Sequence, residues 1–374
     1  MLQTIMVKLD PTDEQHTVLV KTMSKFNEAC NYIADIAFEQ KCANKINLQK
    51  IVYYNVRKRF GLSAQMTIRA IAKVVEAYKR DKSIKPSFRL DGAAVYDQRI
   101  LSWRGLESVS ILTIEGREII PVRIGEYQTA RIDRVRGQVD LIIKNGIFYL
   151  AVVVEVPEQT PFDPVGTLGV DLGIVNLATD SDGQVFSGKQ VDDTRERYAA
   201  LRKGLQSTGT KSAKRHLKNL SGKEQRFHRD VNHCISKDIV TKAKDTGRAI
   251  ALEDLTGIRD QVTVSKAQRG RHHSWGFYQL RQFIEYKSTV AGVPVEFVDP
   301  RYTSRTCPSC GCIDKKNRPN RDTFNCIQCG LAGPADYIAA INIANRAAFV
   351  NLPIVPGNIE FNHLIPLQEQ APLF

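Results

Sequence analysis

The sequence predicts a mixed α/β chain in two parts: a small β-barrel with an inserted helical bundle, then a second α/β domain with a cysteine-rich insertion. Three observations predict it. Apolar residues recur at intervals of three and four from Pro11 to about Arg80, and at intervals of two before and after that stretch. Beyond a proline-rich segment, 157–164, strand-like and helix-like segments follow in the order βββ-α-β-α-β. Two Cys-x2-Cys motifs then stand just ahead of a last, alanine-rich helical segment.

Taken in order, MLQTIMVKL alternates as a first strand, and Thr12 stands where a helix N-cap is needed. Val18, Met23, Phe26, Ala29, Ile33 and later Ile68, Ile71, Val74 and Val75 mark two or three amphipathic helices. VYDQRILSW, SVSILTI, REIIPVRI and the run from ARIDRV to VVVEV then read as short strands, with Asn145-Gly146 as a hairpin turn. Segment 157–164 reads as a linker. TLGVDLG, VNLATDS and GQVFSG are three consecutive strands, Asp180 and Asp182 belonging to the turn between the last two. Helices are expected over 193–220, 223–246 and 277–291, with strands at RAIALEDL and VPVEFVDP. That order is the one a ribonuclease H-like fold has. The proline-containing segment 351–374 is expected to be a weakly ordered tail.

Charge narrows the partners. The 374 residues carry 53 Lys+Arg against 40 Asp+Glu, a net +13, which favours a polyanion. No apolar run approaches the roughly 18–20 residues that span a bilayer. The N-terminus lacks a signal-peptide pattern, and Cys30, Cys42 and Cys234 are scattered. A cytoplasmic protein with no membrane partner is expected.

Three acids are placed where chemistry could use them. Asp171 closes the strand in GVDLG, Glu253 closes the strand AIALE, and Asp336 opens the helix DYIAAINIANRAA. Each has an ordinary explanation alone: a turn former, a solvated charge beside Asp254, a helix cap. Together they are the set that a phosphodiester hydrolase needs, because converging carboxylates repel until divalent oxygen-seeking cations neutralise them. Two Mg2+ or Mn2+ ions would clamp the attacking water and the leaving oxygen.

Cys307, Cys310, Cys326 and Cys329 form two pairs separated by fifteen residues, a four-thiolate spacing suited to one structural zinc. An iron–sulfur centre is the other option, and Cys312 is a surplus thiol. Lys315, Lys316, Arg318 and Arg321 between the pairs are candidates to contact a scissile strand, or an exposed solvated loop. Segment 195–229 is crowded with base, and Arg202, Lys203, Lys211, Lys214, Arg215 and Lys218 are candidate nucleic-acid contacts. Arg269 and Arg271 join them from QRGRHHSWGFYQL, where Trp275 and Phe277 read as packing anchors. His228 and His233 read as packed or surface histidines. In the N-terminal helices, Tyr53, Tyr54, Lys73 and Tyr78 have base-reading chemistry, with bundle core or surface the simpler assignment for each.

GVDLGIVNLAT, ALEDL, CPSCG…FNCIQCG and ADYIAAINIA resemble the TnpB family, compact transposon-encoded RNA-guided nucleases related to type V CRISPR effectors. The resemblance covers roughly residues 166–348. It implies a wedge-like barrel at 1–10 and 84–160, a helical recognition insertion at 11–83, and a RuvC-like nuclease domain at 161–300 and 331–350. A zinc ribbon would occupy 301–330. It also implies Asp171, Glu253 and Asp336 as catalytic, metal-binding acids and the four cysteines as zinc ligands. Its partners would be a guide RNA from the transposon end and a target double-stranded DNA read beside a short motif, in a monomeric ribonucleoprotein at the prokaryotic nucleoid. An RNA-guided DNA-binding regulator that does not cut is the main alternative. A stand-alone RuvC-like transposase or resolvase is the other.

Overall fold

The computed structural model describes residues 1–255 and 277–350, and the chain is mixed α/β. It divides into two compact units, Met1–Pro157 and Glu158–Phe374. Among the described residues, no helix is long and apolar enough to cross a membrane.

In the first unit, strand β1 (Leu2–Leu9) buries Ile5, Val7 and Leu9 in alternation. Helix α1 (Asp13–Glu39) begins with the expected Thr12 cap: its hydroxyl accepts from Gln15 N–H at 3.3 Å, and Gln15 Oε1 accepts from Thr12 N–H at 3.2 Å. Helix α2 (Lys45–Phe60) is capped by Asn44 and stopped by Gly61 in the left-handed region. Helix α3 (Ala64–Arg80) is capped by Ser63. Phe26, Ile33, Leu48, Val52, Met66, Ile71 and Val74 are all buried on these helices.

Six further strands follow: β2 (Ala94–Tyr96), β3 (Leu101–Arg104), β4 (Ser108–Thr113), β5 (Gly116–Arg123), β6 (Val135–Lys144) and β7 (Ile147–Glu155), with the one-turn helix α4 (Glu126–Thr129) after β5. They form one sheet in the order β2-β6-β7-β1-β5-β4-β3. Its two edges, β2 and β3, are joined by residues 97–100 alone, and Tyr96 Oη donates to Leu112 O at 3.1 Å from one edge toward the other. The sheet is therefore nearly closed. Asn145 and Gly146 both take positive φ in the β6–β7 turn, as the hairpin requires.

Two readings of this region change. VYDQRILSW is not one strand, because Asp97 breaks it: its carboxylate accepts from Arg69 Nε at 2.7 Å, and its carbonyl accepts from Ile100 and Leu101 N–H. Likewise ARIDRV turns through a 3-10 segment, Ile132–Arg134, before β6 begins.

The second unit opens with β8 (Thr167–Asp171), β9 (Asn176–Asp180) and β10 (Val185–Ser187) as an antiparallel meander. Three helices follow: α5 (Lys189–Thr208), α6 (Lys211–Leu220) and α7 (Lys223–Asp245). The single helix expected over 193–220 is two, because Gly209 takes φ +64° and Thr210 caps a new start. Strand β11 (Ala249–Glu253) lies parallel to β8, and after α8 (Phe277–Ala291), strand β12 (Val295–Val298) lies parallel to β11. The sheet order is β10-β9-β8-β11-β12. A short hairpin, β13 (Thr323–Asn325) with β14 (Ala332–Pro334), leads into α9 (Ala335–Val350).

Strands β8 and β11 are covered on both faces, as parallel strands are. Leu168, Val170, Ile250 and Leu252 pack with Ile235, Ile239, Leu280 and Ile284 of α7 and α8. Ala251 and Val298 pack instead with Ile343 and Ala347 of α9. The expected linker 157–164 is a bound strap rather than a free tether. Gln159 N–H reaches Thr289 O at 3.3 Å and Phe162 N–H reaches Gly292 O at 3.1 Å. Segment 351–374, expected to be a tail, lies outside the described residues.

Candidate active site

Two of the three acids are brought together by strand pairing. Strands β8 and β11 run parallel with Leu252 opposite Val170, and one residue further on each strand ends, at Asp171 and at Glu253. The carboxyl ends of adjacent parallel strands are where such sheets place ligands. The third acid comes from the other layer. Helix α9 crosses β8 so closely that a Cβ on Gly169 would lie 2.0 Å from Ala340 O and 2.6 Å from Ala344 N. The glycine allows that approach, and Asp336 in the first turn of α9 comes within electrostatic reach of Asp171.

The electrostatics are those of an acid cluster compensated only in part. Asp171 is pushed up to about 8, first by burial and then by the charges of Glu253 and Asp336, with Arg318 pulling the other way. Burial also raises Glu253, opposed by a hydrogen bond from the Thr303 hydroxyl and by Arg346 and Arg318. Asn342 of α9 fixes the Thr303 loop by donating to Thr303 O and Thr306 O, both at 2.7 Å. Asp336 has two polar neighbours: Asn176 Nδ2 donates to its Oδ2 at 2.9 Å, and Arg318 Nη2 lies 3.6 Å from its Oδ1. One guanidinium therefore acts on all three acids. That donor set, all hard oxygens with more negative than positive charge, fits divalent magnesium or manganese.

The four cysteines are drawn tighter. Among the described residues, they form the one group of potential metal ligands whose donor atoms all lie within 4.8 Å of one another; at least one separation among the three acids exceeds that. Cys307 and Cys329 sulfurs are 3.5 Å apart, as are those of Cys310 and Cys326. A tetrahedral zinc with Zn–S bonds of about 2.3 Å needs sulfurs about 3.8 Å apart, so the cluster fits a closed, structural zinc site. The two knuckles repeat each other. Gly311 N–H returns to Cys307 O and Gly330 N–H to Cys326 O, each at 3.0 Å, with φ of +73° and +74°. Buried Asn317 locks them together, donating to Arg305 O and Cys312 O and accepting from Ile327 N–H, each at 3.0 Å. The next residue is Arg318. Phe324 of the hairpin packs with Cys307, Cys326, Ala335 and Ile338, so the cysteine module shares its small core with the start of α9.

The remaining candidates fall out unevenly. Lys203, Lys211, Lys214, Arg215 and Lys218 are exposed along α5 and α6, whereas Arg202 is paired with Glu224 at 2.6 Å. Arg321 is exposed, and its carbonyl accepts from Arg318 at 2.7 Å, so Arg318 rather than Arg321 is turned to the acids. Arg269, Arg271 and Trp275 lie outside the described residues, as does the side chain of Phe277. His233 stacks on Phe283 at 4.0 Å. In the first unit, Tyr78 is buried and Lys73 donates to Asn27 Oδ1 at 2.8 Å, while Tyr54 is 78% exposed. Asp182 is a turn residue as expected, whereas Asp180 ends β9 and its carboxylate accepts from Asp182 and Gln184 N–H across the turn; both have an added role. Lys242 lies 2.5 Å from the buried Asp180 carboxylate and 2.9 Å from that of Asp182, and Arg248 grips Asp182 with two bonds. Sequence reasoning missed Asn176 and Thr303; nothing in one sequence distinguishes them from other polar loop residues.

Comparison with known proteins adds an independent line. A family described as Cas12f1-like, TNB domain, matches residues 277–343, and one described as Probable transposase, OrfB_IS605, matches residues 151–256. A TnpB-like protein of Methanocaldococcus jannaschii is 32% identical over 197 residues, which cover 50% of this chain and 70% of that protein. A CRISPR-associated endodeoxyribonuclease Cas12f1 of Sulfoacidibacillus thermotolerans is 31% identical over 260 residues, 64% of this chain and 59% of the relative. A cryo-EM structure of a Cas12f1–sgRNA–target DNA complex matches with a TM-score of 0.63 over 90% of this chain and 84% of that one. At 16% identity, this is a likeness of fold.

Proposed function

The chain belongs to the TnpB family, and from that premise we propose that it is an RNA-guided DNA endonuclease of a transposable element. One relative is named a CRISPR-associated endodeoxyribonuclease and another a putative RNA-guided DNA endonuclease. In this reading 1–10 and 84–160 are a wedge-like barrel with a helical recognition insertion at 11–83. Residues 161–300 and 331–350 are the RuvC-like nuclease domain, and 301–330 the zinc ribbon. A guide RNA from the transposon end pairs with one strand of target DNA, so that pairing carries the sequence specificity. The protein supplies a cationic surface, a motif reader and the cutting centre.

The observation that carries the reading is the convergence of Asp171, Glu253 and Asp336, with Asp171 raised to about 8 first by burial and then by its acidic neighbours. An acid whose ionisation is opposed by burial and by two neighbouring acids marks a cation site rather than a stabilising network. Asp171, Glu253 and Asp336 would hold two Mg2+ or Mn2+ ions, which supply charge neutralisation and align the attacking water with the leaving oxygen. The Thr303 hydroxyl holds Glu253, and Asn176 holds Asp336. Arg318 offsets part of the charge of the acids in the protein alone. The thiolates of Cys307, Cys310, Cys326 and Cys329 would hold one zinc that folds the ribbon, with no open position for chemistry.

Replacing Asp171 tests this. In Asp171→Ala, magnesium-dependent cutting of a guide-matched duplex should fall by at least about 10³-fold, the scale of losing a principal electrostatic group. Binding of guide RNA and of target should stay within about threefold, since phosphate contacts elsewhere dominate affinity. Cutting that survives in the variant would reject the site. A wild-type protein that binds guided target and never cuts would favour the regulator instead.

A further inference from the structure

Asp336 is the acid that the sheet does not hold. Asp171 and Glu253 end neighbouring strands, whereas Asp336 rides on α9 and depends on how that helix meets the sheet. Its hydrogen bond to the sheet comes from Asn176, the first residue of β9. The loop between Asp171 and Asn176 has little slack. A Cβ on Gly173 would lie 2.5 Å from Asn176 O, and one on Gly188 would lie 2.7 Å from Val175 O and 2.8 Å from Leu177 Cδ2. Gly188 N–H also donates to Val175 O at 2.7 Å. A loop that begins on one acid thus ends, rigidly, on a carboxamide touching another.

Resting on the reading of the acids as cation ligands, we infer that Asn176 is a positioning residue: it pins Oδ2 of Asp336 and so presents Oδ1 to the divalent cation. A neutral amide suits this task. It donates one hydrogen bond without cancelling the charge, as a lysine would, and without repelling it, as an aspartate would. Arg318 gives the arrangement its consequence. At 3.6 Å from Oδ1 it stands on the oxygen left open, and a carboxylate freed from Asn176 can turn to meet the guanidinium with both oxygens, the strong forked geometry. Asn176 then decides whether Asp336 is offered to a cation or closed on an arginine. Partners of this kind, one step behind a metal ligand, set affinity by about 10–100-fold.

The test is Mn2+ binding to the full-length protein free of nucleic acid, read from the electron paramagnetic resonance of unbound Mn2+. Asn176→Ala should raise the Kd about 10-fold. Asn176→Leu, which keeps the shape and removes both polar atoms, should do the same with an unchanged thermal midpoint in chelator. In guided cutting, half-saturation by Mn2+ should move by the same factor, while the rate at saturating Mn2+ stays within about threefold, the pattern of weakened binding alone. Unchanged Mn2+ affinity in the leucine variant would overturn the inference. So would a rate lowered equally at every Mn2+ concentration, the mark of a merely structural loop. Asp336→Ala separates the two levels. If it binds Mn2+ as the wild type does, the acid reading itself fails; if it loses binding while Asn176→Leu does not, only the role of Asn176 fails.

Discussion

Asp171 keeps its proton to about pH 8 in the folded chain, against an ordinary value of 3.8, because burial and then Glu253 and Asp336 oppose its ionisation. Between those two values the folded state holds a proton that the unfolded chain has released. Without cation, stability from this group is therefore fullest below about pH 4, falls as pH rises, and levels off above about 8. Cation binding runs the other way, since the ligand must be deprotonated to bind. Mn2+ affinity should rise up to about tenfold per pH unit toward pH 8 and flatten beyond it. In chelator, Asp171→Asn should raise the thermal midpoint more at pH 8 than at pH 5. Titrations of Mn2+ at pH 6, 7 and 8 check the first expectation. Equal affinity at all three would mean that Asp171 is ionised already and is not held by its neighbours.

Helix α9 is the element on which the acid centre turns, and Gly169 is where it is most exposed to change. A methyl group there meets backbone atoms, Ala340 O at 2.0 Å and Ala344 N at 2.6 Å, which no side-chain rotation can move away. Gly169→Ala should therefore lift α9 from β8, cost about 1–3 kcal/mol by denaturant unfolding, and weaken cation binding as Asp336 shifts. Gly204, within α5 and with nothing inside 4 Å of its would-be Cβ, is the control. Gly204→Ala should stabilise by about 0.5–1 kcal/mol, so equal effects at the two sites would contradict the packing account. The same contrast marks what was legible in the sequence. Strand endings at Asp171 and Glu253, the helix start at Asp336, the Thr12 cap and the Asn145-Gly146 turn are local signals, and each element stands where it was read. What failed to show depends on residues remote in sequence. Asp97 breaks a strand by binding Arg69, and residues 159–165 are held by carbonyls of Thr289, Gly292 and Gly247. Asn176 meets Asp336 across 160 positions, a pairing that no periodicity encodes. Gly209, by contrast, was a local signal passed over, since glycine in the left-handed region ends helices.

Across the whole molecule, a net charge of +13 says that the chain attracts polyanions but not where. The second unit concentrates part of that charge. Lys203, Lys211, Lys214, Arg215 and Lys218 are exposed on two successive helices, whereas Arg202 is neutralised by Glu224. If the five free cations each neutralise one phosphate of a guide RNA, they contribute a slope of about −4 to the dependence of log affinity on log salt. A fourfold rise in salt would then cost roughly 250-fold in affinity through these residues alone. Replacing all five by glutamine should flatten the slope by about 4, while Arg202→Gln should barely alter it because that charge is already spent on a carboxylate. Diffuse attraction by the net charge predicts something different: any five exposed lysines or arginines, removed from either unit, would flatten the slope equally. Filter-binding across a salt series, with one set of five replaced on α5 and α6 and a matched set replaced in the first unit, separates the two. Equal slopes for both sets would remove the helical pair as a specific nucleic-acid surface and leave only the general charge.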